Sequence, residues 1–212
     1  VRNKYSTDLD PIGKDYIAAL KSEVRKWIER ISENEPIGCC FSGGIDSGAV
    51  FLATYSVMRE LDCDMGRLKA FTLSFGDGPD LQQCKDFLSQ VNMEMFLEPI
   101  DASLEDIDVA ETIQIVEDYK ILDIESASMA VALCRGIRKK YPKWKHLIDG
   151  DGGDENLKDY PIEENPELTI RSVVNNRMLY QEGWGVGTIK HSLTYSGGLS
   201  RSYARTYAPG HH

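Results

Sequence analysis

Apolar residues recur along this chain in two alternating rhythms. Tyr16, Leu20, Val24, Trp27, Ile28 and Ile31 fall three or four positions apart, so residues 12–32 predict an amphipathic helix. Pro36 to Phe41 is a short apolar run closed by Ser42-Gly43-Gly44, the pattern of a buried strand. Residues 48–61 return to helical spacing. Leu68 to Phe75 reads as a second strand, Pro79 to Val91 as a helix with proline near its first turn, and Met93 to Ile100 as a third strand. The acidic stretch Asp101 to Asp118 reads as helical, with Glu105 to Glu117 on a solvated face, and Ser126 to Tyr141 as a long helix. His146 to Ile148 is a short strand ending at Asp149-Gly150. Strands that alternate with helices predict an α/β fold: a parallel sheet with helices on both faces.

The rhythm is lost after Glu155. Residues 156–176 are polar and partly helical in pattern, and from Gln181 the chain is rich in Gly, Ser and Tyr without a period. The expected division is a domain over residues 1–160 and a partial helical extension over 161–210. Such a layer is incomplete on its own, and its uncovered apolar surface would favour pairing of two copies. His211 and His212 read as the start of an affinity tag.

The length, 212 residues, suits one large domain or one and a half. With 42% hydrophobic and 27% charged residues, the composition excludes a disordered, collagen-like or disulfide-scaffold chain. A net charge of −10 argues against a broad basic face for nucleic acid. Tyr195, Arg201, Tyr203, Arg205 and Tyr207 make a mildly basic aromatic tail, read as packing surface rather than as an RNA platform. No apolar run is long enough to span a membrane, and residues 1–10 lack the apolar core of a signal peptide. The five cysteines are odd in number and form no C-x-x-C pair. This disfavours a disulfide framework or a zinc site and fits a reducing cytoplasm. Cys39 and Cys40 lie in a predicted buried strand and read as small core residues. His146 and His191 read as structural or solvated.

Two glycine-rich junctions carry candidate chemistry. A buried strand runs directly into Ser42-Gly43-Gly44-Ile45-Asp46-Ser47, and a helix follows at once. Adjacent glycines let backbone N–H groups turn inward, and the helix N-terminus adds donors and a positive dipole end. The product is a cradle for an anion, most naturally phosphate. A bare Gly-Gly is equally an ordinary strand-to-helix turn. The Walker and dinucleotide glycine patterns are both absent here. If the loop holds a nucleoside triphosphate, Asp46 implies a divalent cation, because a carboxylate beside phosphates needs a charge between them. The second junction, Asp149-Gly150-Asp151-Gly152-Gly153-Asp154-Glu155, places four acids and three glycines after a strand. Its carboxylates are hard oxygen ligands suited to Mg²⁺, but its length is wrong for a calcium-binding EF-hand loop. Taken alone it is also a solvated acidic turn. In a parallel sheet both loops open on the same edge, so together they suggest a Mg-nucleotide site.

These strings resemble the PP-loop of the ATP pyrophosphatases and, more closely, the two signatures of the synthetase domain of asparagine synthetases. Leu73-Ser-Phe-Gly-Asp-Gly-Pro-Asp-Leu81 is similar to that family's segment after the second strand. Weaker likenesses lie at Glu117-Asp-Tyr-Lys120, at Ser126 to Arg135 and at Arg177 to Val186, so the resemblance spans about residues 12–187. It implies an adenine nucleotide alpha hydrolase-like (PP-loop ATPase) fold and an AMP-forming ligase. A substrate carboxylate would be adenylated by Mg-ATP with release of pyrophosphate. Ammonia or an amine would then displace AMP to form an amide. By the same resemblance, Ser42, Gly43, Gly44, Asp46 and Ser47 bind pyrophosphate and Asp46 and Asp154 hold Mg²⁺. Backbone near Leu73, Asp149 and Gly150 frames adenosine. Asp151 stands where the family carries a glutamate proposed to deprotonate the incoming ammonium, and with Asp46 it is the expected catalytic residue.

The sequence departs from the family at several points. Asp149 replaces a family serine, Glu125 stands in a segment where the family places an arginine, and Gly187-Thr188-Ile189-Lys190 replaces Glu-Ala-Arg after Trp184-Gly-Val. No glutaminase domain is recognisable in the sequence, so the nitrogen would come from free ammonia, another amine or a partner. The alternatives are a catalytically incomplete nucleotide-binding module and another PP-loop enzyme, tRNA-modifying or NAD-forming.

Overall fold

The computed structural model describes residues 8–76, 78–117 and 121–150, with side chains from 124 onward in the last stretch. Helix α1, Leu9–Ile28, starts where the Asp8 side chain accepts from the Asp10 N–H at 3.2 Å. It begins and ends about three residues earlier than the apolar spacing predicts. Asp8 caps the first turn, and residues 29–31 wind into tighter turns that keep Ile31 buried. Strand β1, Ile37–Cys40, leads through the first glycine loop into α2, Ile45–Glu60. Strand β2, Leu68–Phe75, and strand β4, His146–Ile148, fall where the apolar runs predict them. Helix α3 covers Asp80–Gln90, with Pro79 at its N-cap.

Two stretches differ more from expectation. Strand β3 is Leu97–Ala102, because Glu94–Phe96 closes into a 3-10 turn that takes the start of the apolar run. The acidic stretch after it is not one helix. Ser103 and Asp106 form a capping box over the 3-10 turn Leu104–Asp106, and Asp108 then caps a separate helix α4, Val109–Val116. Helix α5, Ile121–Lys140, starts earlier than predicted and stops ahead of Pro142.

The sheet order is β3-β2-β1-β4, and β1 runs parallel to both of its neighbours. Side chains on β1 and β2 alternate between two cores. Ile37, Cys39, Phe41, Leu68 and Ala70 face the cluster that holds Val24 and Ile28 of α1 and Phe51, Val57 and Met58 of α2. Each such large apolar side chain contributes about 1.5–3 kcal/mol on burial. On the other face Phe71 meets the rings of Tyr141 and Trp144 at 5.7 and 5.0 Å. There Glu98 of β3 takes Lys69 of β2 at 2.8 Å and Lys140, in the last turn of α5, at 2.5 Å. The parallel sheet with helices on both faces is therefore as expected.

Among the described residues, 8–100 with 137–150 form one compact unit, and those within 101–136 belong to another. In the second unit α4 meets α5 through Ser128 Oγ, which donates to Thr112 Oγ1 at 3.3 Å, and through an Arg135–Glu111 ion pair.

Candidate active site

The β1–α2 junction is built from a closed ring of hydrogen bonds. The Ser42 N–H donates to Ser47 Oγ at 3.2 Å, and the Gly44 N–H donates to Ser42 Oγ at 3.3 Å. The two serine hydroxyls lie 3.1 Å apart, and Ser47 Oγ donates to the Gly44 carbonyl at 3.2 Å. One assignment satisfies every donor: the Ser42 hydroxyl gives its proton to Ser47 Oγ, which gives its own to Gly44. Gly43 holds φ +73°, a conformation that disfavours any side chain.

Helix α2 starts inside the motif rather than after it. Gly44 is its N-cap and makes no side-chain cap hydrogen bond. The first turn is Ile45-Asp46-Ser47, which aims helix N-terminal N–H groups out of the loop. Asp46 is half-buried in that turn, and Ser47 is buried beneath the loop. This donor set fits a phosphate chain.

The start of the second glycine loop, at Gly150, lies directly against the first. A Cβ on Gly150 would stand 2.6 Å from the Ser47 nitrogen and 2.7 Å from the Asp46 carbonyl carbon. Only a glycine lets these two backbones touch in this way. The register explains the meeting: Cys39 pairs with Ile148 and Cys40 with Phe71, so the ends of β1 and β4 stand level. Counting on from Cys40–Phe71, Leu73 reaches the height of Ser42, half-buried near the end of β2. Asp149 is exposed at the end of β4. Ser42, Gly43, Gly44, Asp46, Ser47, Leu73, Asp149 and Gly150 thus gather on the edge formed by the C-terminal ends of the strands.

Asp151 and Asp154 lie outside the described residues, as do Trp184, His191 and the aromatic tail. Among the described residues no group of three His, Cys, Asp or Glu side chains is placed to hold a metal. A Mg²⁺ ion held by one or two carboxylates together with substrate phosphates needs no such group, so the residues present fit it. Glu125 is exposed on α5 in the second unit.

Cys39, on the strand that leads to the loop, is not a nucleophile in waiting. Burial pushes the Cys39 thiol up to about 12, against a smaller downward pull from Thr54. His146 pairs with Glu35 at 3.0 Å, at the opposite end of the strands from the loops, which fits a structural role. Thr72, Cys84 and Phe87, which pack behind the loop, were not legible in the sequence. They are an ordinary strand residue and two ordinary helix residues until the fold brings them there. The nearest signal is Gly48, whose missing side chain leaves room for the Phe87 ring.

Among the described residues no helix is long and apolar enough to cross a membrane. Residues 19–200 match the asparagine synthase family. The glutamine-hydrolysing asparagine synthetase of Gallus gallus is 28% identical over 154 residues, which are 72% of this chain and 26% of that protein. The nodule asparagine synthetase of Pisum sativum is 31% identical over 160 residues, 71% of this chain and 25% of that protein. The chain thus spans about a quarter of the length of the curated relatives it matches. Among solved structures, an NH3-dependent NAD synthetase from Campylobacter jejuni aligns with a TM-score of 0.45 at 13% identity, over 96% of this chain and 90% of that one.

Proposed function

Because the chain belongs to the asparagine synthase family, we propose that it carries the ATP-dependent synthetase chemistry of that family. In this reading it activates a substrate carboxylate as its adenylate, releases pyrophosphate and passes ammonia or an amine to the acyl carbon. The observation that carries the reading is the seat of Gly150 on the Asp46–Ser47 backbone. It sets the donor-rich loop and the start of the acidic loop against each other, the pairing a Mg-nucleotide needs.

Ser42, Gly43, Gly44 and Ser47 would hold the phosphates that leave as pyrophosphate. Their N–H groups and hydroxyls supply donors before the bond breaks and stabilise the charge that grows as it does. The Ser42 and Ser47 hydroxyl protons, now spent within the ring, would turn outward to phosphate oxygens. Asp46, with Asp154, would hold a Mg²⁺ ion, whose charge offsets that of the phosphates. Leu73, Asp149 and Gly150 would frame the adenosine by backbone contacts, and Asp151 would take the proton from the incoming ammonium. On this reading residues 1–160 form the nucleotide domain and 161–210 part of a helical extension. The activity would run in the cytoplasm, with ammonia drawn from solution or from a partner.

The test is pyrophosphate release from Mg-ATP with ammonium, across a panel of carboxylic acids that includes aspartate, with Asp46→Ala run alongside. Release with one acid, lost in the variant, is expected. Full turnover by Asp46→Ala would refute the site, and ATP binding without release for any acid would favour an incomplete nucleotide-binding module.

A further inference from the structure

Phe41 is the last residue before the loop and is held on several sides. Its N–H donates to the Phe71 carbonyl at 2.7 Å, and its carbonyl accepts from Cys84 Sγ at 3.5 Å. Thr72 Oγ1 lies 3.2 Å from the same sulfur. Both side chains are buried. With the thiol proton on the Phe41 carbonyl, the Thr72 hydroxyl donates to sulfur and the relay is complete. Burial raises the Cys84 thiol, a smaller opposing effect coming from Thr72, so at neutral pH it stays protonated and able to donate.

The backbone of the same helix stands behind the loop. A Cβ on Gly43 would meet Cys84 N and the Gln83 carbonyl carbon, each at 2.9 Å. One turn on, the Phe87 ring fills the space beside Gly48 and packs edge-on to Phe41 at 5.4 Å. Helix α3 therefore supports the loop at its start, at its first glycine and at the helix that follows it.

We propose that Cys84 is a positioning residue for the nucleotide phosphates: with Thr72 it fixes the Phe41 carbonyl, and its backbone forms the wall that keeps Gly43 in its anion-binding conformation. The inference rests on the reading of residues 42–47 as the phosphate loop. A loop held in shape beforehand spends less of its binding energy on ordering.

The experiment measures dissociation constants for Mg-ATP and for AMP with the wild-type chain and with Cys84→Ala, Cys84→Ser and Thr72→Val. AMP lacks the β and γ phosphates and reports on the nucleoside and α-phosphate side of the site. Cys84→Ala is expected to weaken Mg-ATP about fivefold, the worth of one net hydrogen bond, and to leave AMP unchanged. Cys84→Ser keeps a donor and should recover most of that loss. Thr72→Val keeps shape and sulfur and should weaken Mg-ATP in the same direction, so it decides the matter if Cys84→Ala does not fold. Wild-type Mg-ATP affinity in both Cys84→Ala and Thr72→Val would overturn the proposal. So would an equal loss of Mg-ATP and AMP, as general loosening would produce. A wild-type chain that binds AMP but gains nothing from the β and γ phosphates would instead overturn the phosphate-loop reading beneath it.

Discussion

Gly150→Ala is the sharpest perturbation of the site, because the added methyl has nowhere to go. It would lie 2.6 Å from Ser47 N, 2.7 Å from the Asp46 carbonyl carbon and 3.0 Å from Ser47 Cα. All three are backbone atoms in the first turn of a helix, so no side chain can swing aside. Reaching ordinary contact at 3.4 Å requires the two loops to part by about 0.8 Å. Overpacking of this kind costs about 1–3 kcal/mol, which in a chain of this size lowers Tm by roughly 2–12 °C. A displacement of this size also takes the helix N-terminal donors out of range of a phosphate placed for the wild-type loop. Losing one charge-assisted hydrogen bond of about 1.5–3 kcal/mol weakens binding roughly ten- to a hundredfold. Differential scanning fluorimetry and calorimetric titration with Mg-ATP read both effects. A Gly150→Ala chain with wild-type Tm and wild-type affinity would mean that the two loops are not in contact, and the site as described would fall.

Three further outcomes follow from the same geometry. Gly13→Ala is the matched control: an added Cβ there meets nothing within 4 Å, so the change should raise helix α1's stability by about 0.5–1 kcal/mol, visible as a higher Tm with unchanged nucleotide affinity. Ser47→Ala removes the acceptor of the Ser42 N–H and breaks the hydroxyl ring, so it should cost about 1–3 kcal/mol and weaken Mg-ATP, whereas thermal melts indistinguishable from wild type would show that the ring contributes nothing. Glu98 reports on the opposite sheet face: burial pushes its carboxyl up, but Lys140, Lys69 and Tyr141 outweigh it and bring the pKa down from 4.5 to about 2. A depressed carboxylate stabilises the fold above its unfolded pKa and stops doing so as pH falls through the folded one. The Tm gap between wild type and Glu98→Gln should therefore be full above pH 4.5 and shrink towards pH 2, and a gap constant over that window would refute the assignment.

The fold was legible where burial and local signals agree. Strand β2 is an apolar run bounded by turns, and β4 is short but closed by Asp149-Gly150, so their limits could be read directly. Strand β3 was misplaced at its start because Met95, Phe96 and Leu97 are apolar whether they wind into a 3-10 turn or extend. The acidic stretch looked like one helix because its charges share a solvated face. What divides it is capping: Ser103 with Asp106 and Asp108 with Glu111 each open a new turn. Those spacings were present in the sequence and are the signal that would have separated the two. The early start of α2 has a different cause. A glycine N-cap with extended backbone leaves no side-chain signature, so Ile45-Asp46-Ser47 reads as loop until the helix is seen.

The glycines of the two motifs carry a second meaning that local reasoning does not reach. A phosphate loop calls for glycine so that backbone can approach the ligand, and that argument concerns only the ligand side. The structure puts protein on the other side as well. The Gln83–Cys84 backbone stands behind Gly43, the Phe87 ring beside Gly48, and the Ser47 backbone against Gly150. Gly43 is thus required twice, once by its φ of +73° and once by the Gln83–Cys84 backbone behind it. An alanine at Gly43 would lose nucleotide affinity under either requirement, so glycine scanning alone cannot assign a phosphate contact. Side chains that support the loop without lining it, Thr72 and Cys84, separate the two. Their removal leaves every ligand-facing donor in the chain and takes away only what holds those donors still.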